Sequence, residues 1–170
     1  MKKPLILILL FFGLATSACS ETQTISQPTI LPASSPSHPV VKDLLTQINE
    51  ERQRRGLKRL NHNALLSKAA LGHAREQMAQ NALDHQSQDG RSLADRVNAT
   101  GYKWRFVAEN LAGGQETPEE AVVAWIKSPS HRKNMFATKA TEFGAAYVSR
   151  PRQDHNDLGH FWVLVLAAPL

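Results

Sequence analysis

Apolar residues recur at helical spacing in three segments of the chain after residue 38. The segment VVKDLLTQINEERQRRG, at residues 40–56, places its apolar side chains on one stripe, which predicts a helix that follows Pro39 and ends at Gly56. A second helix is predicted to begin near Asn63, and its many alanines indicate close packing. The segment DGRSLADRVNATG predicts a short third helix that ends before Gly101. The expected buried positions are Val41, Leu44, Leu45, Ile48, Leu66, Ala69, Ala70, Ala74, Met78, Leu93 and Val97.

Two further helices begin with capping signals. In TPEEAVVAWI, Thr117 is the expected N-cap, and a proline and a glutamate follow at the positions that a capping box requires. In SPSHRKN, Ser128 is the expected N-cap and His131 falls in the first turn. The partial positive charge at a helix N-terminus disfavours an imidazolium, so we expect the His131 ring to be mostly neutral near pH 7.

Aromatic and β-branched residues dominate the C-terminal part of the chain. TEFGAAYVS and GHFWVLVLA predict two antiparallel strands joined by the polar loop RPRQDHNDL, and WRFVAEN predicts another short strand. Helices that flank a small antiparallel sheet make an α+β domain. We therefore expect a three-layer α-β-α sandwich.

The N-terminal residues differ in composition from the rest of the chain. Residues 1–18 combine a basic start, a short apolar run and small residues, which predicts a signal peptide. The sequence TSAC resembles the lipobox of bacterial lipoproteins, in which the signal is removed and lipid is attached to the cysteine, here Cys19. Residues 19–39 are rich in Ser, Thr and Pro and are expected to be a disordered tether, which leaves residues 40–170 as one domain. We expect a protein exported to the cell envelope and anchored by lipid, on the outer membrane if the host has two membranes; the alternative is ordinary secretion.

Cysteine and charge content narrow the classes further. Cys19 is the only cysteine in the sequence, so an internal disulfide is excluded and the domain must be stabilised by its core. The formal net charge is +5, and two of the basic residues lie in the predicted signal peptide. This mild excess does not by itself indicate nucleic acid, and an export signal argues against it. It favours acidic envelope polymers or lipid head groups as partners.

Three side chains form the candidate site. Glu109 closes the apolar run WRFVA, where a carboxylate is expected to be partly buried and therefore paired or hydrogen-bonded. His85 lies in the polar turn DHQSQDG, and His131 lies in the fifth predicted helix. Two imidazoles and a carboxylate are the ligand types expected of zinc or a similar divalent cation. The alternative is a structural network in which Glu109 accepts hydrogen bonds from backbone N–H groups and an imidazole.

Seven segments resemble, in order, the bacterial SCP-like branch of the CAP superfamily (cysteine-rich secretory proteins, antigen 5 and pathogenesis-related 1 proteins). They are INEERQRRGLKRL, LSKAALGHAREQMA, DHQSQDG, AENLAGG, AVVAWIKSPSHRKNMF, FGAAYV and HFWVLVLA. The resemblance as a whole covers residues 41–167. The resemblance implies an α-β-α sandwich with a cleft that often carries two histidines and two glutamates. Members of the family have been proposed to be proteases or to bind sterols and lipids, so the resemblance leaves the activity open.

The resemblance also maps cleft residues onto this chain. His85 and His131 correspond to the two histidines, and Glu109 corresponds to the glutamate of the family's GEN signature. Ser128 stands where the second glutamate usually lies, which weakens the expectation of zinc. The expected function is the binding of a divalent cation, a small lipid-like molecule or a peptide in this cleft. The alternative is a metal-dependent or serine-type hydrolase that uses the same three residues.

Other residues near these motifs have more ordinary expected roles. Asn110, Arg132 and Asn134 are expected to brace the loops around the cleft. Trp125 and Trp162 are expected to lie in the core.

Two further groups of residues leave alternatives open. A hydrolase could draw its nucleophile from Ser87, Ser128 or Ser130, although the sequence contains neither a nucleophile elbow nor an HExxH motif. A basic cluster near the end of the first helix is expected to be a solvated helix end or, alternatively, a patch that binds the envelope. Its members are Arg52, Arg54, Arg55, Lys58 and Arg59.

Overall fold

The computed structural model describes residues 38–170. The predicted signal peptide, Cys19 and all but the last two residues of the predicted tether lie outside them. Residues 38–170 contain five helices and four strands. They are α1 (Pro39–Arg54), β1 (Asn61–His62), α2 (Ala64–Gln80), α3 (Leu93–Ala99), β2 (Trp104–Gly113), α4 (Pro118–Lys127), α5 (Pro129–Met135), β3 (Glu142–Ser149) and β4 (His160–Pro169). Each helix predicted from the sequence is present.

The helix ends follow the local signals with one exception. Asn63 caps α2 by accepting hydrogen bonds from two backbone N–H groups at 2.9 and 3.4 Å. Thr117 and Glu120 form the predicted capping box of α4. Ser128 occupies the N-cap position of α5, but within residues 38–170 its side chain makes no capping hydrogen bond, so this part of the prediction is wrong. Its hydroxyl lies 3.2 Å from the Ser130 hydroxyl instead, and Ser128 is also the residue that ends α4.

The four strands of the described residues form one sheet in the order β1-β3-β4-β2. β3 and β4 pair antiparallel, as predicted, and β2 pairs antiparallel with the other side of β4. β1 pairs parallel with β3 through two residues, which makes the sheet mixed. A strand of two residues cannot show the alternation of apolar and polar side chains, so the sequence analysis did not predict β1.

Side chains of the central strands alternate between two cores, one on each face of the sheet. One core lies beneath α1, α4 and α5 and contains Trp125 and Trp162, which are 1% and 0% exposed, as predicted. The other core lies beneath α2 and α3 and includes Phe161 and Val163 from β4. The result is the predicted three-layer α-β-α arrangement.

The basic cluster at the end of α1 is not uniformly solvated. Arg54 and Arg55 pair with Glu51 on the surface. Arg52 is only 1% exposed, and it donates hydrogen bonds to the backbone carbonyls of residues 58, 135 and 137. The expectation of a solvated helix end is therefore wrong for Arg52, because folding brings three carbonyl acceptors around its guanidinium.

Candidate functional site

The candidate site lies on β2, at one edge of the sheet. Successive residues of a strand point to opposite faces, so Glu109 and Asn110 serve different helical layers. Glu109 faces α2 and α3, and Asn110 faces α5. The site is therefore built where the two helical layers approach the same edge strand.

Glu109 is buried and its carboxylate is fully engaged. The side chain is 2% exposed. Its Oε1 atom lies 2.9 Å from Nδ1 of His85, and Arg96 donates from Nη2 to Oε1 at 3.0 Å and to Oε2 at 2.8 Å. The expectation of a partly buried, paired carboxylate agrees with this geometry, but the main partner is an arginine and not a backbone N–H group.

Arg96, on α3, is a site residue that the sequence analysis missed. Its side chain is 4% exposed, and Nη1 donates to the carbonyls of His85 at 3.0 Å and Arg91 at 3.2 Å. Arg96 therefore holds both the Glu109 carboxylate and the loop that carries His85. Its helical position three residues after Leu93 put it on the inward side of α3, and this spacing was the available signal.

His73, on α2, is a second missed residue. It is fully buried, and its Nε2 atom lies 2.8 Å from the carbonyl oxygen of Asp84 and 3.9 Å from Oε1 of Glu109. Gln77, one turn further along, accepts a hydrogen bond from the Asp84 N–H at 2.7 Å. Together these two side chains fix the backbone directly before His85. His73 lies between the alanines of the buried stripe of α2, and that position was the signal in the sequence.

His85 is the exposed member of the cluster. Its side chain is 61% exposed. The hydrogen bond to Glu109 raises the pKa of His85, and partial burial opposes this effect. Because Nδ1 is held by the carboxylate, Nε2 is the ring nitrogen that can meet a ligand; within the described part of the chain it has no hydrogen-bond partner.

His131, on α5, joins the site through its backbone. Its carbonyl accepts a hydrogen bond from Asn110 at 2.9 Å, and Asn134 donates to the Glu109 carbonyl at 3.1 Å. These contacts are the bracing roles predicted for the two asparagines. Burial lowers the pKa of His131, and the positive charge of His85 lowers it further, which favours the expected neutral ring. No hydrogen bond in residues 38–170 joins the His131 ring to Glu109 or His85.

A groove of about 460 Å³ adjoins the exposed imidazole. Six of its seven lining residues have polar side chains, and the seventh is a partly buried apolar residue from α3. The residues that line it are Asp84, His85, Gln86, Ser92, Leu93, Glu109 and Asn134.

The residues of this site do not fit a divalent cation. Residues 38–170 contain no group of three or more His, Cys, Asp or Glu side chains arranged to hold a metal ion. Both oxygens of Glu109 accept hydrogen bonds from Arg96, and the guanidinium charge would repel a cation at the same carboxylate. The metal site predicted from His85, Glu109 and His131 gains no support from this arrangement.

The three candidate serines are engaged elsewhere. Ser87 is buried, and its hydroxyl accepts a hydrogen bond from Arg96 at 3.3 Å. The hydroxyls of Ser128 and Ser130 contact each other. Across the described residues, no serine hydroxyl lies within hydrogen-bond distance of His85 or His131, so neither ring of the site activates a serine.

Two Bacillus subtilis proteins are similar in sequence to this chain. YkwD is 39% identical over 107 residues, which cover 63% of this chain and 42% of YkwD. The membrane protein YlbC is 28% identical over 103 residues, which cover 61% of this chain and 30% of YlbC. The matched part is therefore less than half of either relative.

Solved structures and a family model agree on the fold. An outer surface protein from Borrelia burgdorferi is similar in structure, with a TM-score of 0.71 and 21% identity. The match covers 82% of this chain and 100% of the Borrelia protein. An extracellular protein containing an SCP domain from Bacillus anthracis matches 74% of this chain over 39% of its own length, with a TM-score of 0.64 and 21% identity. In residues 38–170, no helix has the length and apolar character to cross a membrane. The model of the CAP family, described as the cysteine-rich secretory protein family, matches residues 45–166, and the chain therefore belongs to this family.

Proposed function

We propose that this chain is an exported CAP-domain protein of the cell envelope whose groove binds a peptide segment through His85. The observation that carries the proposal is an exposed imidazole held at Nδ1 by the buried carboxylate of Glu109, which Arg96 in turn fixes. Burying an ion pair costs desolvation free energy that the pairing often only offsets. Its position behind one groove-facing ring supports a role in orienting that ring.

The electrostatics of the cluster define what the ring can recognise. The charges of Glu109 and Arg96 balance each other, so a proton on His85 places a positive charge at the ring itself, although the Asp84 carboxylate also lines the groove. The raised pKa of His85 extends the pH range in which Nε2 carries a hydrogen and can donate it. A carbonyl or carboxylate oxygen of a ligand is the matching acceptor.

The lining of the groove favours a peptide over a lipid chain. Gln86, Ser92 and Asn134 present polar groups, and Leu93 supplies an apolar surface. An alkyl chain in this groove would leave Nε2 of His85 without a hydrogen-bond partner, whereas a peptide backbone offers carbonyl acceptors for it.

The N-terminal sequence and the names of two matched structures support an envelope location for this activity. The basic, apolar and small-residue order of residues 1–18 is typical of a signal peptide, and Cys19 follows it in a lipobox-like context. Two of the matched structures are named as an outer surface protein and an extracellular protein. We propose that this chain is likewise exported and is held at the membrane by lipid on Cys19.

Hydrolysis is the second candidate function, and the pairing of His85 with Glu109 is the observation that favours it. A carboxylate on Nδ1 leaves the Nε2 lone pair of a neutral ring able to accept a proton from water. Because no serine hydroxyl in residues 38–170 lies within hydrogen-bond distance of His85, the nucleophile in this candidate is water and not a hydroxyl side chain.

The proposal is tested with the full chain and a library of short peptides. Binding is read from the NMR shifts of the amides that line the groove, and cleavage is read by mass spectrometry in the same samples. We expect His85→Ala to weaken peptide binding by about tenfold, the effect of losing one charge-assisted hydrogen bond. His155→Ala, an exposed histidine in the β3–β4 loop, is the matched control and should bind as the unchanged protein does.

Three outcomes distinguish the candidate functions. Equal binding by the His85→Ala variant and the unchanged protein would overturn the binding proposal. Cleavage that disappears in His85→Ala and persists in His155→Ala would support hydrolysis instead. Added zinc should leave the imidazole resonances of His85 and His131 unshifted, because Arg96 already donates hydrogen bonds to both oxygens of the Glu109 carboxylate. A shift of both imidazoles on addition of zinc would support the metal site instead.

A further inference from the structure

A second groove lies at the end of α1 and shares no lining residue with the His85 groove. Its volume is about 480 Å³, and it is bounded by the turn after α1 and by the segment between α5 and β3. The described residues that line it include no acidic side chain. Its polar lining is Arg52, Lys58, Arg59, Asn61, Thr138 and Thr141.

Arg52 is the buried cation of this groove. Its Nε donates to the Lys58 carbonyl at 3.0 Å, and its Nη1 donates to the carbonyls of Met135 at 2.7 Å and Ala137 at 3.2 Å. Within residues 38–170, Nη2 has no hydrogen-bond partner and no carboxylate forms an ion pair with the guanidinium. Nη2 is also not one of the fully buried unpaired atoms, so a group in the groove can reach it.

Burying a guanidinium without a counterion is unfavourable, because its desolvation free energy is not offset by an opposite charge. Burial lowers the pKa of Arg52, but an arginine stays protonated in a protein, so the positive charge remains. Backbone carbonyls satisfy two of its nitrogens without neutralising the charge. An anion at Nη2 would supply the missing partner and recover part of the desolvation cost.

The rim of the groove adds positive charge that neighbouring acids do not cancel. Lys58 and Arg59 are exposed, and within the described residues neither forms an ion pair. The nearby carboxylate of Glu51 is taken up by Arg54 and Arg55. Three cations around one groove match a group with more than one negative charge better than a single carboxylate.

The remaining donors suit a tetrahedral group. Thr138 and Thr141 bring hydroxyls to the lining from the segment before β3, and Asn61 brings an amide from β1. Arginine and lysine together with hydroxyl donors are the usual protein partners of phosphate oxygens. We propose that this groove binds a phosphate group, with Arg52 as the buried anchor and Lys58 and Arg59 at the rim.

The phosphate could be carried by a lipid head group or be free in solution, and one experiment separates the two. The full chain is titrated with inorganic phosphate while NMR follows the amides of residues 57–61 and 138–141. The double variant Lys58→Gln, Arg59→Gln removes the rim charges without touching the hydrogen bonds of Arg52 side-chain atoms to residues 135 and 137. We expect it to weaken phosphate binding by about tenfold or more, because two charge-assisted contacts are lost.

The matched control removes the same net charge elsewhere. The double variant Arg75→Gln, Arg105→Gln changes two exposed arginines outside both grooves and should bind phosphate as the unchanged protein does. An equal loss in both double variants, or no shift at residues 57–61 in the unchanged protein, would overturn the proposal. Arg52→Lys, which keeps the charge but loses the planar fork, should also weaken binding if it remains folded.

A vesicle-binding measurement distinguishes a lipid head group from free phosphate as the ligand. Binding to phosphatidylcholine vesicles is compared with binding to vesicles that also contain phosphatidic acid, for the unchanged protein and for both double variants, which carry the same N-terminal segment. A preference for phosphatidic acid that is lost in the Lys58→Gln, Arg59→Gln variant assigns the groove to lipid head groups. Phosphate binding without such a preference assigns it to free phosphate. This proposal does not depend on the function of the His85 groove.

Discussion

Glu109 and Arg96 are buried together, and the charge of each compensates the charge of the other in the interior. Replacing Glu109 with glutamine leaves the guanidinium of Arg96 buried without a negative partner. Breaking a buried pair from one side costs about 3–5 kcal/mol, and we expect the free energy of unfolding to fall by about that amount. Urea denaturation of Glu109→Gln beside the unchanged protein measures the loss.

Two further variants test whether the loss of stability in Glu109→Gln comes from the buried Glu109–Arg96 pair. Glu116→Gln changes an exposed carboxylate and should alter the free energy of unfolding by no more than about 0.5 kcal/mol. The double variant Glu109→Gln, Arg96→Met removes both buried charges and should be more stable than Glu109→Gln alone. If Glu109→Gln proves as stable as Glu116→Gln, the carboxylate is not part of a buried pair.

The two imidazoles of the site should titrate on opposite sides of the ordinary value. The Glu109 hydrogen bond raises the pKa of His85, whereas burial and the charge of His85 lower the pKa of His131. In His85→Ala the charge is gone, so the pKa of His131 should rise, yet burial should keep it below about 6.5. NMR titration of the imidazole C–H resonances follows both rings. An unchanged pKa of His131 in His85→Ala, or an equal rise in the His155→Ala control, would contradict the proposed coupling.

The raised pKa of His85 also gives stability a pH dependence of known sign. A group whose pKa is higher in the folded state contributes stability that is complete below its unfolded pKa and is lost as pH rises through the folded pKa. The stability lost in His85→Ala should therefore be larger at about pH 5.5 than at about pH 8.5. The energy involved is small, because the ring is 61% exposed and solvent screens the pair.

The residues around His85 show what sequence reasoning could and could not reach. A carboxylate after an apolar run predicted that Glu109 would be buried and paired, and the resemblance singled out His85 as its neighbour in the cleft. Arg96 and His73 were missed because a charged or polar residue on a helix is usually exposed, and only the folded chain shows which distant carboxylate faces it. Their inward helical positions were visible, but their partners were not.

The packing of α2 on the sheet depends on one close approach. A Cβ atom added to Gly144 on β3 would lie 2.2 Å from the backbone nitrogen of Ser67 and 2.4 Å from the carbonyl carbon of Leu66. These are backbone atoms, so the helix would have to move as a unit. We expect Gly144→Ala to lower the free energy of unfolding by about 3 kcal/mol, the upper part of the range for overpacking.

Gly72→Ala, on α2, is the matched control for Gly144→Ala. Among the described atoms, nothing lies within 4 Å of a Cβ added at Gly72, and alanine is a better helix former than glycine. This variant should raise the free energy of unfolding by about 0.5–1 kcal/mol. Thermal or urea unfolding of both variants gives the comparison. Equal effects would show that the contact between α2 and β3 at Gly144 is not tight.

The elements that could be predicted are those whose signal is local. Thr117 and Glu120 define the start of α4 through neighbouring side chains, and apolar residues fill most of β3 and β4, which extend over eight and ten residues. β1 is held by pairing with β3 and not by a pattern of its own. Gly144 looks like an ordinary strand residue in TEFGAAYVS, because its role is to admit a helix that is distant in the sequence.

At the scale of the whole molecule, the two grooves proposed as binding sites in residues 38–170 differ in chemistry. The His85 groove combines a donor ring with a mixed lining, and the Arg52 groove concentrates cations without acids among its described lining residues. Which ligands the two proposed sites can meet depends on where the protein is located, so the proposed lipid anchor at Cys19 bears on both proposals.

Lipid attachment at Cys19 predicts a covalent label that one substitution removes. Cells that express the full chain and are fed labelled palmitate should incorporate the label into this protein, and Cys19→Ser should abolish incorporation because the acceptor thiol is lost. Ser26→Ala, in the predicted tether, is the control and should keep the label. Mass spectrometry should find a mature chain that begins at residue 19, since the lipobox-like sequence places the cut before the cysteine. An unlabelled chain cut at another residue would identify ordinary secretion, and the two grooves would then act in solution and not at a membrane surface.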